Sequence, residues 1–204
     1  TVLSSTNTNG GIYLLNGIQE GVGSWNRIGR YMWNKSIELD LTLRYTSSYG
    51  ALDTDITSGE WVRAVLVWDK QPNNGAIPTF DTIFGQTSQA GVESASVMDH
   101  LRYDNMFRFK VLMDECINPT LTNAAVSTPL NPSTASLVNN TYFRFHKYVK
   151  LRNMLTNFSG TANPVTTANI STGALYLILR TQTATLTELW AIENSSTARL
   201  RYVD

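Results

Sequence analysis

A chain of 204 residues can build a full core without disulfide or metal staples, because roughly 70% of the surface of an unfolded chain this long is removed on folding. Charged residues make up only 16%, against a typical share of about 25%, and 16 Lys+Arg cancel 16 Asp+Glu. A formal net charge of zero excludes a polyanion binder acting through overall charge, and it leaves little long-range repulsion to keep copies of the chain apart.

Period-two alternation dominates the apolar segments, which are rich in β-branched and aromatic residues and bounded by Gly, Pro, Asn and Ser clusters. A first strand is predicted over Ile12 to Asn16, followed by a link punctuated by Gly17, Gly21, Gly23 and Gly29. Ile37, Leu39, Leu41, Leu43 and Tyr45 then share one face of a long half-buried strand, and Val62, Ala64, Leu66 and Trp68 repeat the pattern. Pro72, Asn73, Asn74 and Gly75 carry turn chemistry. Pro78 opens a short helix through Phe80, Ile83 and Phe84, and a second turn is predicted around Ser96 to Leu101. Phe107, Phe109, Val111 and Met113 form the apolar face of the next strand. Asn118 to Asn140, with Pro119, Pro129 and Pro132, reads as a surface loop. Strands follow over Phe143 to Leu151, Met154 to Phe158, Ala174 to Thr181 and Ala198 to Val203. The count of eight predicts an all-β fold, a single antiparallel jelly-roll sandwich over residues 1–204 with one or two short helices in its loops.

Little in the chain points to catalysis. Cys116 has no internal disulfide partner and reads as a small buried hydrophobe; His100 and His146 read as surface groups rather than general bases. The glycines of the first link lack the following helix and the Lys-Ser/Thr of a phosphate loop. With no nucleophile, base and orienting group in view, the chain is expected not to be an enzyme and to need no cofactor. Asp53 and Asp55, with Glu60 nearby, are weak candidates for a divalent cation, lacking the spacing of a dedicated loop. No apolar run reaches the roughly 20 residues that span a bilayer, so no membrane insertion is expected. The chain opens at Thr1 rather than Met and is read as a trimmed product.

Position, more than number, marks the basic residues. Arg27, Arg30 and Lys35 gather at the start of the second strand, and Arg199 and Arg201 alternate along the last. A sandwich can bring Lys35, Arg63, Arg199 and Arg201 into one patch that meets phosphates by counterion release, the alternative being solvated outward positions on strand faces.

Three stretches in order, GIQEGVGSWNRIGRYMWNKSIELDLTLRY (Gly17 to Tyr45), VRAVLVWDKQPNNGAIPTFDTIF (Val62 to Phe84), and NMFRFKVLMDE (Asn105 to Glu115) with STGALYLILRTQ (Ser171 to Gln182), resemble the capsid proteins of small circular single-stranded DNA viruses that encode a replication initiator, the genomovirus, geminivirus and circovirus relatives. The resemblance implies a jelly roll with strands lettered B to I, self-assembly into a small icosahedral (T=1) shell around circular single-stranded DNA, and assembly in the host nucleus. RNA is the less favoured cargo, and the host receptor is left open. A basic N-terminal arm, also implied, has no counterpart before Ile12 and is expected upstream of Thr1. Trp25, Tyr31, Trp33, Tyr49, Trp61 and Trp190 are the candidate subunit-interface anchors, large aromatics being typical of that role. A carbohydrate-binding β-sandwich is the competing expectation, with Trp25, Trp33, Trp61 or Trp190 stacking on sugar rings.

Overall fold

The structure, a computed structural model, describes residues 3, 11–49, 61–85, 87–88, 91–92, 98–117, 137–160, 165–181 and 188–204, with the backbone alone at 45–49, 87–88, 91–92, 137–141 and 188–189. One antiparallel sheet joins β1 (Ile12–Leu14), β9 (Ala174–Thr181), β3 (Val62–Asp69) and β6 (Phe109–Ile117), in that order. The second joins β10 (Glu188–Ile192), β2 (Tyr31–Tyr49), β7 (Leu137–Phe158) and β8 (Ile170–Thr172), with β11 (Thr197–Val203) on β2 beside β10. A small third sheet pairs β4 (Thr87–Ser88) with β5 (Gly91–Val92).

The pairs β1·β9, β2·β7, β3·β6 and β4·β5 nest one inside the next. This is the order produced when one long hairpin rolls up into two facing sheets, the jelly-roll plan. The three remaining strands extend the second sheet: β8 continues it past β7, while β10 and β11 run in line along the free side of β2. Between them the backbone stays attached, Glu193 N–H donating to the Thr42 carbonyl and Thr42 N–H to Ser196 Oγ.

The alternating strands explain the core. Ile37, Leu39, Leu41 and Leu43 of β2 turn inward and meet Val62, Ala64, Leu66 and Trp68 of β3 and Leu175, Leu177 and Leu179 of β9. Burying side chains of this size contributes about 1.5–3 kcal/mol each. A second core lies on the other face of the first sheet, where Val65, Val67, Tyr176 and Ile178 pack against Phe80, Ile83 and Phe84 of the one-turn helix α1 (Phe80–Ile83) and its flank. Both β3 and β9 are therefore buried on both faces, whereas β3 was expected to be half-buried. The residues that decide this are Val65 and Val67, which sequence alternation assigned to the outside and which α1 covers.

Other differences follow from irregular strands. The segments expected as two strands, 143–151 and 154–158, are one 22-residue strand interrupted where Arg152 and Asn153 take positive φ (51° and 61°). Phe107 belongs to no strand: it is exposed in the turn ahead of β6, so the apolar face begins at Phe109. Of the expected loop 118–140, residues 137–140 belong to β7 and 118–136 lie outside the described residues, as does part of the turn expected at 96–101; a 3-10 turn occupies Tyr103–Asn105.

Candidate functional site

The outward face of β11, β2 and β7 carries most of the exposed charge of the second sheet. Cross-strand register places Arg201, Ser36 and Lys150 in one row and Arg199, Glu38 and Tyr148 in the next. Directly opposed residues of this kind have Cβ atoms about 4.5–5.5 Å apart, within reach of one another's side chains. Next to the first row the ladder breaks: β2 inserts Lys35 and β7 runs over Leu151, Arg152 and Asn153 before pairing resumes at Asn34↔Met154. A bulge of this type re-aims side chains, and here it adds two cations to the sheet face. Arg152 adopts φ 51°, a region that a long side chain enters only at a cost of about 1–3 kcal/mol.

Lys35, Lys150, Arg152, Arg199 and Arg201 are all exposed, and no described residue forms an ion pair with any of them. The acids on the same face are already engaged. Arg144 makes a two-pronged contact with Asp40 (2.9 and 2.5 Å), and this hydrogen bonding holds the Asp40 carboxyl below the usual carboxylate range. His146 Nε2 lies 3.1 Å from Glu38, and Arg44 Nε donates to Glu193 at 2.6 Å. Asp40 and Glu193 are each matched by an arginine and Glu38 lies beside His146, while the cations without a described ion pair gather in the band around the bulge. Two half-exposed aromatic rings flank it: Tyr148 in the Arg199 row and Trp33 beyond the bulge, between Val203 and Leu155.

The sequence brought three of its four nucleic-acid candidates to this place, Lys35, Arg199 and Arg201. Arg63 is elsewhere. It sits on the first sheet, buried, with Nε and Nη2 donating to the Asp114 carboxylate at 2.8 and 2.6 Å, Nη1 to the Asp99 carbonyl, and its guanidinium 4.6 Å from the centre of the Phe84 ring. Nε, Nη1 and Nη2 of Arg63 all donate within the fold and its guanidinium lies against Phe84, so Arg63 holds the flank of α1 onto the sheet rather than meeting phosphate. Lys150 and Arg152 were missed as candidates. Lys150 alternates on the same polar face as His146 and Tyr148, which sequence could have flagged; the register break that exposes Arg152 left no such signal.

The interface candidates divide similarly. Trp25, Tyr31 and Trp33 are exposed at the end of the second sheet; Trp61 is half-buried with a polar or ring partner; Trp190 is buried, its ring tilted against Phe143 at 5.5 Å. Tyr49 closes β2 with its backbone alone described. Asp53, Asp55 and Glu60 fall within 50–60, outside the described residues, and among those described no three His, Cys, Asp or Glu gather. No described helix is long and apolar enough to cross a membrane.

The match to known families covers residues 2–202 and falls on the geminivirus coat protein/nuclear export factor BR1 family. The chain belongs to this family. The match supports a geminivirus-like coat protein of a circular single-stranded DNA virus, in keeping with the nested all-β sandwich. The coat family is structural, and coat protein rather than sugar-binding module is the class to which this chain is assigned. No curated protein matches it.

Proposed function

We propose that this coat protein closes into a small icosahedral shell, T=1 in its simplest form, and encloses a circular single-stranded DNA genome. The observation that carries the reading is the band of five cations that form no ion pair with a described residue, beside Tyr148 and Trp33, on a chain of the geminivirus coat family. Lys35, Lys150, Arg152, Arg199 and Arg201 neutralise phosphates, whose condensed counterions are released into solution, a contact independent of sequence. Bases turned away from the phosphates stack on the two aromatic rings, which any base can do because each has a π-face. The coat then gathers a genome without reading it, and does no covalent chemistry. The virion is the place of such a protein, and the host nucleus is where we infer that shell and genome meet.

The test is to purify the assembled protein and the triple variant Lys150→Gln, Arg199→Gln, Arg201→Gln, then compare particle formation by negative-stain microscopy and nucleic-acid content by absorbance ratio. Particles with much less nucleic acid in the variant support the reading. Unchanged content would remove the band from it, and a wild-type chain that stays monomeric at high concentration would remove the shell.

A further inference from the structure

Glu38 of β2 stands between two nitrogen-bearing side chains on neighbouring strands. Across the β11·β2 ladder Arg199 is directly opposite Glu38, a placement in which Cβ atoms are about 4.5–5.5 Å apart and opposite charges attract. Arg199 nevertheless forms no ion pair with any described residue. The carboxylate turns to β7 instead, where His146 Nε2 lies 3.1 Å from Glu38 Oε1 on the diagonal, Tyr148 being the residue that faces Glu38 directly.

The other described charges around His146 already have partners. Asp40 of β2 faces His146 in register, but Arg144 of β7 holds its two oxygens through bonds of 2.9 and 2.5 Å. On β11 the nearest residue is the uncharged Thr197, opposite Asp40, and then Arg199; along β7 the next outward side chain is Tyr148. Farther down the face Arg44 donates to Glu193. Glu38 is therefore the acid that connects His146 to the cation band. Histidines as a class change charge between about pH 5 and 8, a range in which arginines and ordinary carboxylates keep theirs. The His146 side chain is 52% exposed, so it exchanges protons freely with the medium.

We propose that His146 is a proton-operated switch that acts through Glu38 on Arg199 and so sets how many cations the band presents to a nucleic acid. With His146 protonated, its charge offsets Glu38 and Arg199 stays open to phosphate; five cations then face the strand. With His146 neutral, Arg199 is the cation left beside Glu38 to offset it, and the band falls to four. Exposed ion pairs are individually weak, which is why a single proton is enough to move Glu38 from one partner to the other. The switch rests on the reading of the band as the nucleic-acid surface and supplies that surface with its regulation. Single-stranded DNA is held more tightly in a mildly acidic medium than in a neutral one, and by reciprocity its binding draws a proton onto His146.

The test measures binding of a single-stranded DNA oligonucleotide to the chain over a salt series at about pH 5.5 and about pH 7.5, on either side of the histidine range. At about −0.7 per contact, the slope of log affinity against log salt should be about −3.5 at the lower pH and about −2.8 at the higher, with affinity at about 0.1 M salt falling roughly fivefold between them. Glu38→Gln should restore about −3.5 at the higher pH, because nothing then withdraws Arg199. Arg199→Gln should give about −2.8 at both, because the cation under control is gone. His100→Gln, at an exposed histidine outside this sheet, should behave as wild type. Equal wild-type slopes at the two pH values would overturn the switch and leave the band standing. A pH difference that survives Arg199→Gln, or that vanishes in His100→Gln, would overturn it too. An oligonucleotide that binds at neither pH would overturn the band and the switch together.

Discussion

The guanidinium carbon of Arg27 lies 4.1 Å from the centre of the Phe158 ring, at zero solvent exposure, between the glycine-rich link and the last residue of β7. A cation over an aromatic face is worth about 2 kcal/mol when desolvated, and Arg27 adds charge-assisted hydrogen bonds to it. Arg27→Met should therefore cost about 3–5 kcal/mol, since the ring contact is lost together with the donors to the Ile18, Gly29 and Gly160 carbonyls. At this chain length that lowers the melting temperature by roughly 6–20 °C. Scanning calorimetry checks the shift, and Phe158→Leu should reproduce only the smaller ring contribution.

Thr156 of β7 links β2 to the segments that follow β1 and precede β9. Its buried hydroxyl accepts from Asn16 Nδ2 and Asn34 Nδ2, both at 2.8 Å, and donates to the Gly173 carbonyl at 2.8 Å. Thr156→Val keeps the shape and removes all three bonds, which leaves buried amides short of partners and should cost about 2–3 kcal/mol. Thr156→Ser should recover most of it. Urea midpoints of the pair, at equal slopes, separate the hydroxyl from the methyl group.

Gly173 takes φ +76°, and a Cβ there would overlap the Leu155 carbonyl oxygen and the Trp68 ring. Neither obstacle is the free end of a flexible chain, and the backbone conformation itself disfavours a side chain. Gly173→Ala should cost about 3 kcal/mol or more and shift expressed protein into the insoluble fraction. Soluble yield with a wild-type melting temperature would contradict the close approach.

Burial pushes the Tyr176 hydroxyl up to about 12, with a weak bond to Thr167 opposing and the nearby Asp69 charge adding to the rise. In the unfolded chain the group ionises near its ordinary value of about 10. The folded state thus holds the proton more tightly, so its contribution is complete below about pH 10 and is lost as the pH rises toward 12. Stability of the wild type should fall over that window, and Tyr176→Phe should flatten the fall, read from urea midpoints between pH 9 and 12.

If the five cations of the band each meet one phosphate of single-stranded DNA, the slope of log affinity against log salt should be about −3.5, at about −0.7 per contact. Lys150→Gln, Arg199→Gln, Arg201→Gln should reduce it to about −1.4. Filter binding of an oligonucleotide over a salt series measures both, and an unchanged slope would exclude those residues from the contact.

Alternation alone determined much of this protein. The row Ile37 to Leu43, alternating with polar residues, marks one face of a strand, and the fold class follows from the number of such segments, while the likeness to capsid proteins rests on the ordered stretches 17–45, 62–84, 105–115 and 171–182. Period two tells which residues share a face, but it carries no information about what covers the opposite face. For this reason period two assigns Arg63, Val65 and Val67 to the outside although α1 and its flank cover them, and Trp190, a candidate interface anchor by type, is buried against Phe143. Register was equally hidden. The meeting of Lys150 with Arg201, more than 50 positions apart, depends on both strands pairing with β2 at Ser36, and Arg152 joins them only because the ladder slips there. Sequence determined the strands and their chemistry; tertiary structure decided which charges gather on one sheet face, because that depends on long-range pairing and packing that no local pattern encodes.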